Sequence, residues 1–349
     1  MSNEIAIGDV LFRQKSLDGS GGIERTYDLV IAGLSWESRG SVGLTSIGRN
    51  ELPLVVLKFR SSSVEIEAAK LAQLDAYKNI FTRVEVKEME SSTDAQSNFI
   101  KLKGWWQDLY AKAGRPLSIL LDMTCLPKTY TLFLLGLGFR EELVARLDCL
   151  YTPGKYDLVS DLPSKTPVLA GARSLLSEGE WHSRQIPYLE ASDYIANDLD
   201  LLVTLGGELG LSLPFIERFE PRRLGLVFID ESSPEKGAPM LASERMAYDE
   251  LLGSPSAARR NIPLCDAIGM ARHALAFAES SSARGTTMMA IGAKPHALAL
   301  GLAAMADPRV EVVCRTPASY RAVDVQASGA PMLYEIEDRF DPASYITSA

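Results

Sequence analysis

The sequence predicts an α/β protein of two tandem Rossmann-like units, each a three-layer sandwich with a mainly parallel sheet, related by internal duplication. Three observations carry this. Short, nearly continuous apolar runs alternate with stretches of helical length in both halves of the chain, as parallel strands covered on both faces and joined by crossover helices require. Several runs end in Gly, Ser or Asp just before a helix start. Two stretches also share one grammar: residues 120–136 followed by 147–156, and 288–301 followed by 310–320. Each reads strand, short turn with neighbouring Lys and Pro, apolar helix, cysteine-bearing strand, then Thr-Pro-x-x-Tyr, and such self-similarity points to a repeated unit.

The 349 residues are 46% hydrophobic and 23% charged, an ordinary globular composition of a length that suits about two domains. The expected division is a first unit over 1–160, a connecting segment over 161–221 and a second unit over 222–349. A net charge of −9 argues against binding duplex DNA, which needs a basic footprint. No two of Cys125, Cys149, Cys265 and Cys314 stand at metal-ligand spacing, so no metal is expected, and no cofactor motif is present. The N-terminus shows no basic-then-apolar secretory pattern and no run approaches the ~20 apolar residues of a spanning helix. A cytoplasmic protein without a membrane segment is expected.

In order, residues 27–34 form the first central strand, ending at Gly33 and the loop Ser35 to Arg39. Residues 52–59 form the second, and Ser63 caps a helix over 64–79 whose apolar positions Val64, Ala68, Leu71, Leu74 and Tyr77 suggest its buried face. Residues 81–89 alternate as an edge strand does. A helix to Ala113 follows, stopped by Gly114. The fourth strand, 117–122, leads through Cys125, Leu126 and Pro127 into the apolar helix 129–137, and 145–151 is the fifth strand. Residues 157–200 read as loops with short extended pieces, 179–182 among the loops, and 194–205 as helix or strand. The pattern restarts with strand 223–230, helix 240–252, strand 261–265 and a helix capped by Asp266. Strand 286–291, a helix opened by Lys294 and strand 310–313 complete it, and Tyr334 and Ile336 suggest a strand in the tail.

Ligands in open α/β sheets collect outside the carboxyl ends of the strands, and helix starts there attract anions. In the first half these ends offer Ser35, Glu37 and Arg39, then Arg60 and Ser61, then Asp122, Thr124 and Lys128, with Lys155 and Tyr156 completing the set. In the second half they offer Glu231, Ser232, Ser233, Lys294, His296 and Tyr320, while Ala290 and Gly292 stand in the region of Asp122 and Thr124. Hydroxyls and lysines suit phosphate oxygens, and Trp36 or Tyr156 suits base stacking. No nucleophile–base–orienter set is readable.

The stretch 121–128, Leu-Asp-Met-Thr-Cys-Leu-Pro-Lys, resembles the Asp-x-Thr-Gly-Gly-Thr-Lys motif of CARF domains (CRISPR-associated Rossmann fold) and, more loosely, SAVED domains. Asp122, Thr124 and Lys128 fall on matching positions, while Cys125, Leu126 and Pro127 replace the two glycines and the second threonine. The resemblance implies a sensor of nucleotide second messengers, cyclic oligonucleotides included. It further implies a role in prokaryotic antiviral defence, with a separate effector chain or as a homo-oligomer. A nucleotide-processing enzyme of phosphodiesterase or ring-nuclease type, and a non-catalytic structural subunit, stay open beside it.

Overall fold

The computed structural model describes residues 3–18, 23, 25–47, 50–155, 177–192, 199–206, 213–235, 242–282, 285–320 and 322–340. In chain order the elements begin with β1 (Glu4–Ile7), β2 (Val10–Ser16), β3 (Leu29–Gly33), β4 (Asn50–Phe59), α1 (Val64–Ile80), β5 (Phe81–Met89), α2 (Ala95–Ala113), β6 (Leu117–Asp122), α3 (Lys128–Arg140) and β7 (Val144–Tyr151). There follow β8 (Gly154–Lys155), β9 (Ser177–Gln185), β10 (Leu199–Thr204), α4 (Leu213–Phe219), β11 (Arg223–Ile229), α5 (Ala242–Leu252), β12 (Ala257–Ile262) and α6 (Ala267–Glu279). The last elements among the described residues are β13 (Gly285–Ala290), α7 (Lys294–Ala306), β14 (Val310–Tyr320), β15 (Gln326–Ala327) and β16 (Met332–Asp338). Two compact units result: Met1–Pro153 with Ala322–Ala349, and Gly154–Arg321.

The sheet of the first unit runs β1-β2-β16-β7-β6-β3-β4-β5. Counting β3 to β7 as first to fifth, the parallel part has the order 3-2-1-4-5 of the doubly wound Rossmann sheet, with its switch point between β3 and β6. Val30, Ala32, Leu54, Val56 and Leu120 pack on one face with Tyr77 of α1. The opposite parity meets α2 and α3: Phe59 lies 4.5 Å from Tyr130 and Phe99 stacks on Phe133 at 4.2 Å, centroid to centroid. These are the three layers. Where the second unit has a helix between its first two strands, the first unit has two 3-10 turns, Ser38–Ser41 and Gly43–Ile47.

The second unit repeats the plan. Its sheet runs β12-β11-β10-β13-β14-β9, so β10 to β14 again give 3-2-1-4-5. Leu201, Val203, Leu226 and Phe228 pack with Ile216 of α4 and Tyr248 of α5 on one face. Gly225, of opposite parity, lies against Phe277 of α6, which packs along α7 on the other face. In both units an antiparallel strand adds beside the fifth, β16 on β7 and β9 on β14.

The duplication extends to the hydrogen bonds. Asp94 caps α2 through Ser97 N and Asp266 caps α6 through Gly269 N. The third residue of the helix after the switch-point strand holds the loop that leads into that capped helix. Tyr130 Oη donates to Ser92 O at 2.8 Å, and His296 Nε2 donates to Pro263 O at 2.9 Å.

Several expectations are corrected. The unit boundaries are not at 160 and 222, because β10, inside the expected connecting segment, is the central strand of the second sheet. The tail strand β16 returns to the first unit, where Asp148 accepts from Ile336 N and Arg25 bridges Asp148, Glu335 and Glu337. Residues 179–182 lie in β9 rather than a loop. Helix α1 has the expected Ser63 cap but buries Ile66, Lys70 and Tyr77, leaving Val64 84% and Leu71 59% exposed. The misleading stripe contained the small and aliphatic residues; the true one includes Lys70, whose ammonium donates to Phe59 O and pairs with Glu67. Strand β12 comes four residues early because an edge strand tolerates the charged run Arg259–Arg260.

Candidate functional site

At the first switch point the last registered pair between β3 and β6 is Ala32 with Asp122. Beyond it the two chains touch. A Cβ built on Gly33 would stand 2.9 Å from both Leu126 Cα and Leu126 N, and 3.1 Å from Cys125 C. The close approach here is made by the protein's own backbone, with Gly33 as the small partner of Cys125 and Leu126. Leu126 is fully buried.

A chain of polar contacts spans this junction. Asp122 Oδ1 accepts from Thr124 N at 2.9 Å, and Thr124 Oγ1 accepts from Thr152 N at 2.9 Å. Thr152 O accepts from Arg39 Nη1 at 3.4 Å, and Arg39 Nε pairs with Glu37 at 2.6 Å. Asp122, Thr124, Arg39 and Thr152 are buried. Ser35 is buried too and accepts from Glu37 N at 3.4 Å. Tyr77 Oη stands 3.3 Å from Gly33 O and 3.2 Å from Gly40 O, so one phenol pins both ends of the Leu34–Arg39 loop. Burial, with Cys125, Asp122 and Glu37 adding to it, raises the Tyr77 pKa well above its ordinary value, so the hydroxyl stays a donor.

Lys128 is the first residue of α3 and is partly exposed, as are Trp36, Glu37, Cys125 and Pro127. These partly exposed residues lie on the chain segments that flank the buried network and are called its rim. The structure therefore brings together Ser35, Glu37, Arg39, Asp122 and Thr124, with Lys128 opening α3 after the same turn. It does not bring Arg60 and Ser61 into this network. Arg60 is 75% exposed and pairs with Glu90, and Ser61 N donates to Glu67. Lys155 is exposed and belongs to the second unit. Tyr156 lies outside the described residues, and Tyr320 is described only as the last residue of β14. Sequence reading missed Tyr77, Thr152 and the segment Val323–Asp324, which bonds to Trp36 and Ser38. The repeated Thr-Pro-x-x-Tyr signal was the available pointer to Thr152; for the others the sequence holds no local signal.

The second switch point keeps the backbone geometry and loses the carboxylate. Thr204 pairs with Ala290 where Ala32 pairs with Asp122. A Cβ on Gly292 would stand 2.9 Å from Leu205 O. Lys294 opens α7, as Lys128 opens α3. In its first turn, His296 is fully buried and its Nδ1 has no hydrogen-bond partner among the described residues. Burial lowers its pKa below 6.5, against smaller opposing contributions from Pro263 O and Asp266. The native state thus excludes a proton that the unfolded chain accepts, so this contribution to stability is present above pH 6.5 and is lost as pH falls below it. Denaturant unfolding at pH 7 and pH 5 should show a loss that His296→Gln diminishes. An equal loss in wild type and variant contradicts this role for His296.

No family model and no curated protein matches the chain. One solved structure with some likeness is titled "Adenylation, ketoreductase, and pseudo Asub multidomain structure of a keto acid-selecting NRPS module". The alignment covers 87% of this chain and 34% of that one, at 11% identity and a TM-score of 0.20. A likeness of that size carries no argument about this chain, which spans about a third of that chain's length. No described helix is long and apolar enough to cross a membrane.

Proposed function

We propose that this chain is a nucleotide-binding regulatory protein whose ligands include cyclic oligonucleotides, and that the ligand's phosphate is received at the start of α3. One observation carries the reading. In both units the helix after the switch-point strand begins with a lysine, has no acidic residue in its first turn, and has an N-cap, Pro127 or Ala293, that makes no side-chain cap bond. Helices α1, α2 and α6 are instead capped by Ser63, Asp94 and Asp266. A helix start that presents positive charge at the carboxyl edge of a doubly wound sheet suits an anion. The first unit adds the Asp122–Thr124–Thr152 network and is the working copy; the second, with Ala290 in place of a carboxylate, is the structural one. The CARF-like motif at 121–128 extends the reading to a sensor in antiviral defence that acts with a separate effector chain.

A nucleotide that binds only the folded state raises the melting temperature in proportion to the logarithm of its concentration above Kd. A panel of mono-, di- and cyclic oligonucleotides should contain a member that shifts the melting temperature of wild type and not that of Lys128→Ala. No shift with any member, or an unchanged shift in the variant, contradicts the proposal.

A further inference from the structure

The loop Leu34–Arg39 is fixed at its ends and tied at its tip. Tyr77 Oη reaches Gly33 O and Gly40 O, the residues on either side of it. At the tip, Trp36 Nε1 donates to Val323 O at 3.0 Å. Ser38 donates twice to one carboxylate, N to Asp324 Oδ1 at 2.7 Å and Oγ to Asp324 Oδ2 at 3.0 Å. Val325, next in the chain, is 2% exposed, and the segment belongs to the first unit. A two-point bond to a carboxylate is stronger than a neutral one, and here it lies in contact with water.

The same loop carries Arg39, which is 4% exposed. Its ion-pair partner, Glu37, sits on the same loop, so the pair moves as one body when the loop moves. Among the contacts that opening the loop would break is the long one of 3.4 Å from Arg39 Nη1 to Thr152 O, which links the loop to Thr124.

We propose that residues 322–325 are a latch: engaged, they keep Arg39 in its buried seat, and released, they let the loop swing so that the guanidinium reaches the rim beside Lys128. The segment follows directly on β14, the last strand of the second unit. This holds whatever ligand the site takes.

Arginine-specific modification of the intact protein with phenylglyoxal, mapped by mass spectrometry, tests the latch. In Asp324→Ala the Arg39 modification rate should rise about tenfold, as loss of a charge-assisted hydrogen bond predicts. Arg25 and Arg146, elsewhere in the same unit, should keep their wild-type rates. An unchanged Arg39 rate in the folded variant overturns the proposal. So does a parallel rise at all three arginines, which reports general loosening. Asp324→Asn, which retains the acceptor oxygen without the charge, should fall between. If Asp324→Ala does not fold, hydrogen exchange of the wild type decides. The amides of Glu37 and Ser38, which donate to Ser35 Oγ and to Asp324 Oδ1, should share one opening equilibrium, less protected than β3, and separate equilibria overturn the latch.

Discussion

Gly33→Ala should destabilise the first unit by about 3 kcal/mol or more, the upper part of the range for overpacking a filled interior. The added methyl would meet Leu126 Cα and N at 2.9 Å and Cys125 C at 3.1 Å. These are backbone atoms, so no rotamer change relieves the clash. The turn from Asp122 to Pro127 must shift as a body, and that strains the bond from Thr152 N to Thr124 Oγ1, which ties the turn to the strand end beside it. A helix glycine gives the control. Gly104 in α2 has nothing within 4 Å of its added Cβ, so Gly104→Ala should stabilise by roughly 0.5–1 kcal/mol through backbone entropy alone. Urea unfolding of the two variants should move the midpoint in opposite directions. A midpoint for Gly33→Ala within error of wild type contradicts the contact across the switch point.

Arg25→Ala should cost about 3 kcal/mol, the low end for removing one partner from a buried charge cluster, since a quarter of the Arg25 side chain remains exposed. Arg25 bridges Asp148 at 3.5 Å, Glu335 at 3.2 Å and Glu337. Asp148 is fully buried and also accepts from Tyr27 Oη at 2.7 Å. Burial pushes the Asp148 pKa up to about 6 although Arg25 and Tyr27 draw it down. Burial alone works against the Glu337 carboxylate too, yet Arg25, Arg146 and Arg13 hold its pKa below the usual carboxylate value. Without Arg25 these acids lose the cation that all three share. Because Glu335 and Glu337 are on β16, the loss should loosen the returning C-terminal strand first. Hydrogen exchange should show residues 332–338 losing protection ahead of β3 and β6. Equal protection of β16 in the variant contradicts this assignment.

What the sequence disclosed and what it hid divide along physical lines. Apolar runs that are buried on both faces, such as Leu117–Asp122, announce themselves because both parities must be hydrophobic. Asp94 and Asp266 announce helix starts, and Gly114 a helix end, because capping is local; Gly114 indeed has φ +66°. Strand partnership is not local. Nothing in Met332–Asp338 says that it pairs with β7 and β2, which lie far back in the chain at Val144–Tyr151 and Val10–Ser16. Helix facing failed at α1 because Lys70 is buried by bonds to Phe59 O and Glu67, which no hydrophobic periodicity records. At the candidate site, Arg39 and Asp122 were legible as polar residues at strand ends. That they join a chain of buried contacts with Thr152 depends on tertiary proximity, which no local signal records. Arg60 was placed beside them by strand order, but its side chain turns to Glu90 at the surface.

The central claim is that one of two duplicated sites, the one at α3, receives a nucleotide. Native mass spectrometry of the intact chain with the nucleotide that gives the largest thermal shift tests it most directly. The expected result is one nucleotide per chain in wild type and in Lys294→Ala, and none in Lys128→Ala. Uptake that persists in Lys128→Ala, or that is lost in Lys294→Ala alone, would contradict it.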